Sequence, residues 1–434
     1  MKKFTGIASK AYLPAYFAAV TAIQIVFACI LQYEPKYDVK SVFDGAAALA
    51  ETGKLTGELI RYFAWASNNF GFTFIMSVMI KIFGAVTKNY FLIFAFTNIV
   101  FINLGVYFLH DLICRVCGKK TAGAALAALF FYIPMYFFPS MIYTDTATMF
   151  IPVVCLNLFT RLQTGQTQIS KKKSAAYYAL MGGSGGVGFV IKPTAAIMFI
   201  AILIVCCVFI RKAEVYKSIA LSAALFFAVI LIFQIPYNIH VPKDVREKNA
   251  LPYLHWVKMG LQNGGKGTWS EFAETMSYPT YAEKSAHAVN TIKARLRGMG
   301  VFGFAELLIQ KFGVLYSSPD LQPCGIIYFD QNETTQKFGA VRFGNAFYII
   351  YNHIVFYGAC ALAFAGVFFR SRNFTAYLAL FGLHLFFAFW EVNPRWLTNY
   401  FFVFLFLACV TVKSVIEKIT IYKLRRNVFN EKNT

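Results

Sequence analysis

The sequence predicts an all-α integral membrane protein of about ten transmembrane helices, and three observations carry that expectation. The 434 residues are 58% hydrophobic and 14% charged, where a soluble domain is about 45–50% apolar and about 25% charged. Apolar runs such as 11–31 and 396–412 approach the roughly 20 residues that cross a hydrocarbon core. The Lys and Arg behind the net charge of +21 mostly stand in short clusters between apolar runs. A basic soluble protein would invite a nucleic-acid reading; basic clusters between apolar segments mark cytoplasmic loops instead. No nucleic-acid partner is expected, and membrane lipids are.

The segment 70–84 decides the threading, because it is apolar but too short to cross. If it spanned, the cluster Arg115, Lys119 and Lys120 would fall outside, with every later short basic cluster. Laid on the outer surface, it puts them all inside. The spans then fall near 11–32, 91–111, 121–139, 146–161, 175–191, 193–210, 218–237, 343–369, 374–390 and 396–416. Both termini are cytoplasmic, and most of the charge excess lies on that side. The basic start at Lys2 and Lys3 leads into a stretch without a small-residue cleavage site, so it reads as a retained first helix.

Three regions follow: an N-terminal membrane module, 1–237, with a first external loop at 33–90; a large external loop, 238–342; and a C-terminal membrane module, 343–434, with a basic tail. Loops this long are usually functional. In the first, Val39, Val42, Phe43, Ala46, Ala47 and Ala50 recur at helical spacing before Gly53, which predicts an amphipathic surface helix. The segment 70–84 predicts a second. Helical patterning also runs near 286–312. The nine Cys lie mostly in apolar segments, with Cys324 in the large loop, so no disulfide framework is expected. Cys114 and Cys117 form a lone CxxC, better read as a helix-end thiol pair than a metal site.

The polar residues that stand out lie at the outer ends of helices. Asp38 opens the first surface helix, as an N-cap or as a general base. Asp145, in Tyr143-Thr144-Asp145, lies at the same membrane level, where it either caps the next span or divides acid and base work with Asp38. The two carboxylates are also placed to share a divalent cation, Mg2+ or Mn2+. Lys192 before Pro193, and Glu391 and Arg395 between Trp390 and Trp396, put fixed charge at that level. Snorkelling and interfacial anchoring explain such residues, and so does a site for an anionic lipid headgroup. His255, Trp256 and Lys258 offer aromatic and hydrogen-bonding groups suited to a sugar. The run from Gly182 to Gly188 sits inside a span and lacks a P-loop ending, so it reads as close helix packing. No dinucleotide fingerprint is present.

Together Tyr37-Asp38 with its helix, Asn68 to Gly71 through Ile82 to Gly84, Tyr143 to Asp145, residues 188–194, His255-Trp256 through Gly260-Leu261, and residues 391–400 resemble the GT-C glycosyltransferases. The resemblance is narrower to the protein mannosyltransferase and lipid A aminoarabinose transferase (ArnT-like) branch. It implies a polyprenyl-phosphate sugar donor, inversion at the anomeric carbon, and a glycan, lipid or protein acceptor on the extracytoplasmic face of the cell membrane. Asp38 then matches the family's first-loop base and Asp145 its second-loop acidic residue. Lys192 and Arg395 would neutralise the leaving phosphate, and His255, Trp256, Glu391 and Tyr400 would line the substrate. The family's adjacent Asp-Glu pair is replaced here by Tyr37-Asp38-Val39, which departs from mannose and protein acceptors. Two other classes share lipid-linked substrates: a flippase or transporter, which needs polar residues along its spans and here finds mainly Asn98, Asn103 and Asn157, and an O-antigen polymerase or ligase, which releases a pyrophosphate.

Overall fold

The computed structural model describes residues 2–164, 169–209, 213–319, 321, 346–369 and 373–432. Cys324 and the end of the large loop at 342 lie outside them. Among the described residues every regular element is helical. Six helices are long and apolar enough to cross a membrane, or seven if one bent pair counts. Five of the six coincide with expected crossings, while the sixth, Tyr281–Leu315, falls in the expected external loop. The expected crossings near 146–161, 193–210 and 374–390 are helical but short, and the helix over 175–191, Lys171–Ile191, is long but not apolar enough, so ten is not reached by this measure.

Helix α1 is Lys2–Ile30; α2 is Tyr37–Glu51, α3 Gly57–Trp65 and α4 Ser67–Phe83. Gly53, at φ 70°, follows the end of α2. The buried side of α2 is Val39, Val42, Gly45, Ala46 and Leu49, close to the predicted stripe. The segment between α1 and α5 (Tyr90–Cys117) leaves and returns at one end of the bundle: Asn89 Nδ2 donates to Gln32 Oε1 at 2.6 Å, and Tyr90 OH donates to Glu51 Oε1 at 2.6 Å. The stretch 70–84 therefore lies in a segment that returns to the end it leaves, which is what the non-crossing threading requires. It is more enclosed than a surface helix, because a Cβ at Gly71 would meet Val190 Cγ1 at 2.2 Å. Helix α3 has no strong sequence pattern, but Thr56 caps it by accepting from the Leu59 N–H.

Next come α6 (Lys119–Phe131), α7 (Pro134–Phe137), α8 (Thr144–Ala147), α9 (Ile151–Thr164), α10 (Lys171–Ile191), α11 (Ile197–Phe209) and α12 (Ala213–His240). The chain bends by 66° between α6 and the helical stretch from Pro134, where proline lacks the N–H to continue the ladder. At the end of the bundle opposite Gln32, Asp111 of α5 binds Arg115 at 2.8 Å and Arg161 of α9 at 2.9 Å. The amide nitrogens of three asparagines inside the spans are committed to packing: Asn98 donates to the Pro139 and Met141 carbonyls, Asn103 to Thr21 and Gln24, and Asn157 to the Phe108 carbonyl and Asp111.

The glycine run in α10 is a packing surface, as its position inside a span predicts. A Cβ at Gly182 would lie 2.0 Å from the Ser222 carbonyl oxygen of α12, and at Gly183 it would meet nothing within 4 Å. Gly182→Ala is therefore expected to cost about 1–3 kcal/mol by overpacking, read as a lower thermal unfolding temperature. Gly183→Ala should be neutral in the same assay.

The remaining elements are α13 (Lys243–Asn249), α14 (Tyr253–Gly260), α15 (Trp269–Met276), α16 (Tyr281–Leu315), α17 (Ala346–Phe368), α18 (Phe374–Phe389), a 3-10 turn at Pro394–Tyr400 and α19 (Phe401–Lys432). Residues α13 to the first part of α16 form the loop's own polar core. There the fully buried Lys258 ammonium donates to Glu274 at 2.9 Å and Thr275 at 3.0 Å, and Arg295 pairs with Glu271 at 2.6 Å.

Candidate active site

Asp38 sits at the start of α2, after Tyr37 in the left-handed region at φ 55°. It is not the cap expected from its position: Lys36 occupies the cap position, with no side-chain cap bond. Its carboxylate faces α3 instead, where Tyr62 OH donates to Oδ1 at 3.1 Å. Asn69 of α4 fixes that phenol, its Nδ2 donating to Tyr62 OH at 2.7 Å and to Tyr143 OH at 3.1 Å. The first loop and the Tyr143–Asp145 turn are thus joined through one amide and two phenols. Burial pushes the Asp38 carboxyl above the usual carboxylate range, while hydrogen bonding from Tyr62, the Arg395 charge and Tyr143 pull the other way.

The second half of the cluster is ionic. Asp145, 1% exposed, binds the Lys192 ammonium, and Arg395 Nε lies 3.8 Å from its other oxygen. The Arg395 guanidinium also stands 5.0 Å above the Tyr143 ring, and the Lys192 ammonium 5.7 Å from the Trp396 ring. Local structure explains the placement. Lys192 ends α10 because Pro193 follows it. Arg395 opens the 3-10 turn, its N–H donating to Asn393 Oδ1 at 3.1 Å.

Glu391 is a third acid beside these cations. Burial lifts its carboxyl to about 7, against the pull of Arg395; Asp38 pushes it up further, and Lys192 and Lys311 draw it down. Lys311 of α16 holds this segment. Fully buried, its ammonium donates to the carbonyls of Gly260 at 2.8 Å, Ala388 at 2.9 Å and Trp390 at 2.7 Å.

The structure therefore gathers Asp38, Asp145, Lys192, Glu391 and Arg395 at one end of the bundle. Trp256 borders the group, its ring stacked on Trp390 at 6.2 Å. His255 turns away: its Nδ1 bonds Thr275 Oγ1 at 2.9 Å, and burial, with Lys258 nearby, drives its pKa down to about 4. Tyr400 is fully buried, and its OH donates to the Thr194 carbonyl at 3.3 Å. The hydrogen bonds of these two therefore run to Thr275 and Thr194 rather than to the Asp38–Asp145 group. Tyr62 and Lys311 join the cluster without having been singled out in the sequence, and Asn69 was picked out only as part of the Asn68–Gly71 stretch.

The donor set does not suit a divalent cation. Asp145 is already met by two cationic side chains and Asp38 by a phenol, and no group of three or more His, Cys, Asp or Glu that could hold a metal occurs among the described residues. Hard cations want several free oxygen ligands.

Among solved structures, the chain is similar to ArnT from Cupriavidus metallidurans bound to undecaprenyl phosphate, with 10% identity over 93% of this chain and 78% of that one, at a TM-score of 0.44. The apo state of the same enzyme gives 12% identity over 94% and 78%, at 0.43. The Archaeoglobus fulgidus oligosaccharyltransferase tethered with an acceptor peptide gives 12% identity and a TM-score of 0.45, over 95% of this chain but 51% of that one, so the chain spans about half its length. No curated protein matches. The family model described as "Conserved hypothetical integral membrane protein" matches residues 6–317. With the helical membrane fold and that match over most of its length, the chain belongs to this family of conserved hypothetical integral membrane proteins.

Proposed function

We propose that the protein is a membrane glycosyltransferase that moves a sugar from a polyprenyl-phosphate donor to an acceptor hydroxyl on the extracytoplasmic side. The observation that carries this reading is the pairing of a half-buried carboxylate held by a phenol, Asp38, with a compact group of cations, Lys192 and Arg395, linked to it through Tyr143. The motif resemblance to ArnT-like enzymes supports the same assignment. Asp38 takes the proton of the acceptor hydroxyl as its oxygen attacks the anomeric carbon. The bond from that carbon to the phosphate oxygen breaks from the opposite face, so the configuration inverts. The departing polyprenyl phosphate keeps the electron pair, and its charge is met by Arg395 and Lys192. Asp145 holds both cations in place beforehand.

The test is to supply purified protein in vesicles with a panel of polyprenyl-phosphate sugars and follow the lipid product by mass spectrometry. Release of polyprenyl monophosphate with a glycosylated acceptor supports the proposal. Movement of intact donor across the vesicle without transfer, or transfer only from a polyprenyl-pyrophosphate-linked glycan supplied in parallel, would sink it.

Glu391 supplies a pH signature. Its native carboxyl titrates near 7 against an ordinary 4.5, so the native state favours the protonated form. Its contribution to stability is fully present below 4.5 and lost as pH rises through about 7. Neutral Glu391 also repels a phosphate less. Donor binding should therefore tighten as pH falls through about 7, and Glu391→Gln should flatten that dependence in a binding titration. An unchanged pH profile in the variant would remove Glu391 from the donor site.

A further inference from the structure

Gly300 divides α16 into two pieces of unlike composition. Residues 281–299 carry Glu283, Lys284, Lys293, Arg295 and Arg297, whereas 301–315 carry only Glu306 and Lys311. At φ 58° and ψ −165°, Gly300 adopts a conformation that is essentially glycine's own, so the break is built in. The second piece is about 22 Å long at about 1.5 Å per residue, short of the roughly 30 Å hydrocarbon core.

This piece runs beside α18. Phe304 stacks on Phe389 at 5.7 Å, Lys311 takes the Ala388 and Trp390 carbonyls, and Phe312 and Tyr316 reach the His384 ring at 5.5 and 5.9 Å. Tyr316 OH also bonds His384 Nε2 at 2.7 Å. The contacts thus move from the site end of α18 about 8 Å toward its middle. On the other side, Val301, Phe302 and Ile309 are 82%, 91% and 74% exposed, with Ala305 and Gly313 exposed along the same stripe. Its one charge, Glu306, is hydrogen-bonded by Gln310 Nε2 at 3.3 Å.

We propose that residues 301–315 lie in the lipid leaflet on the site's side of the membrane without crossing it. The Phe302–Ile309 stripe faces acyl chains, and Lys311 faces α18. The occupant follows from composition: the stripe exposes large apolar side chains and no cation, and its packing partner α18, an apolar helix, exposes Phe381 and Leu385 at 65% and 51% in the same way. The one cation on the piece is satisfied internally by three carbonyls, as hydrocarbon requires. The inference is independent of the sugar-transfer reading.

The test places the photoreactive analogue p-benzoylphenylalanine at 302, 309 or 281 of the full chain in phosphatidylethanolamine–phosphatidylglycerol vesicles. Phospholipid adducts are expected from 302 and 309 and not from 281. Adducts with a second copy of the chain, or none at 302 and 309, would overturn the lipid assignment. Ser317→Cys checks the depth. Extra modification by an impermeant maleimide from the face opposite to that which modifies Trp269→Cys would show that α16 crosses, and would overturn the proposal.

Discussion

Replacing Asp38 by Asn is expected to lower sugar transfer by about 10²–10⁴-fold, the usual worth of a positioned general base, while leaving the thermal unfolding of the protein nearly unchanged. The amide oxygen of Asn still accepts the Tyr62 hydroxyl bond that Asp38 Oδ1 now accepts at 3.1 Å, so the join between α2 and α3 survives. What is lost is the capacity to take a proton. In the wild type, that capacity should fade as pH drops through the raised pKa of Asp38, at less acid values than for an ordinary carboxylate. Transfer assays in vesicles read both effects. Wild-type rates in the variant would show that another group takes the proton.

The second large effect concerns stability. Asp145 is 1% exposed and is shared by Lys192 and Arg395, so Asp145→Ala strands two cations in a buried place. Breaking a buried pair from one side typically costs about 3–5 kcal/mol, because the remaining charge keeps its desolvation penalty. The variant should unfold at a clearly lower temperature in detergent. Adding Lys192→Met to Asp145→Ala removes one stranded charge and should recover part of the loss without restoring transfer. If Asp145→Ala unfolds like the wild type, water reaches the pair and the electrostatic clamp is wrong.

The membrane class, the helix at Tyr37–Glu51 and the return of the segment after it to one end of the bundle were legible because each writes itself in hydrophobic period or length. The charged members of the site were legible for a related reason: Asp145, Lys192, Glu391 and Arg395 are polar residues at the ends of apolar helices. Tyr62 was not, nor was the role of Asn69 within its quoted stretch, because neither a tyrosine nor an asparagine marks its partner, and both are chosen by tertiary contact with Asp38 and Tyr143. The partners of His255 and Tyr400 were hidden for the same reason. Their neighbours in sequence suggest a site, yet their bonds go to Thr275 and to the Thr194 carbonyl. Lys311 was hidden inside a helical pattern, with no sign that three distant carbonyls await its ammonium.

The order in which these residues leave the ribosome bears on biogenesis. Asp38, Asp145 and Lys192 are all made within the first half of the chain, so the Asp145–Lys192 pair, 47 residues apart, can close early. Arg395, which also faces Asp145, follows Lys192 by some 200 residues, about 10–40 s at 5–20 residues per second. Until then Asp145 has one cation rather than two and the Tyr143 ring has no guanidinium over it. The nascent protein therefore passes through a stage in which its spans are threading while the Asp145 charge cluster is still open, and it gains full charge balance only as its last membrane helix arrives.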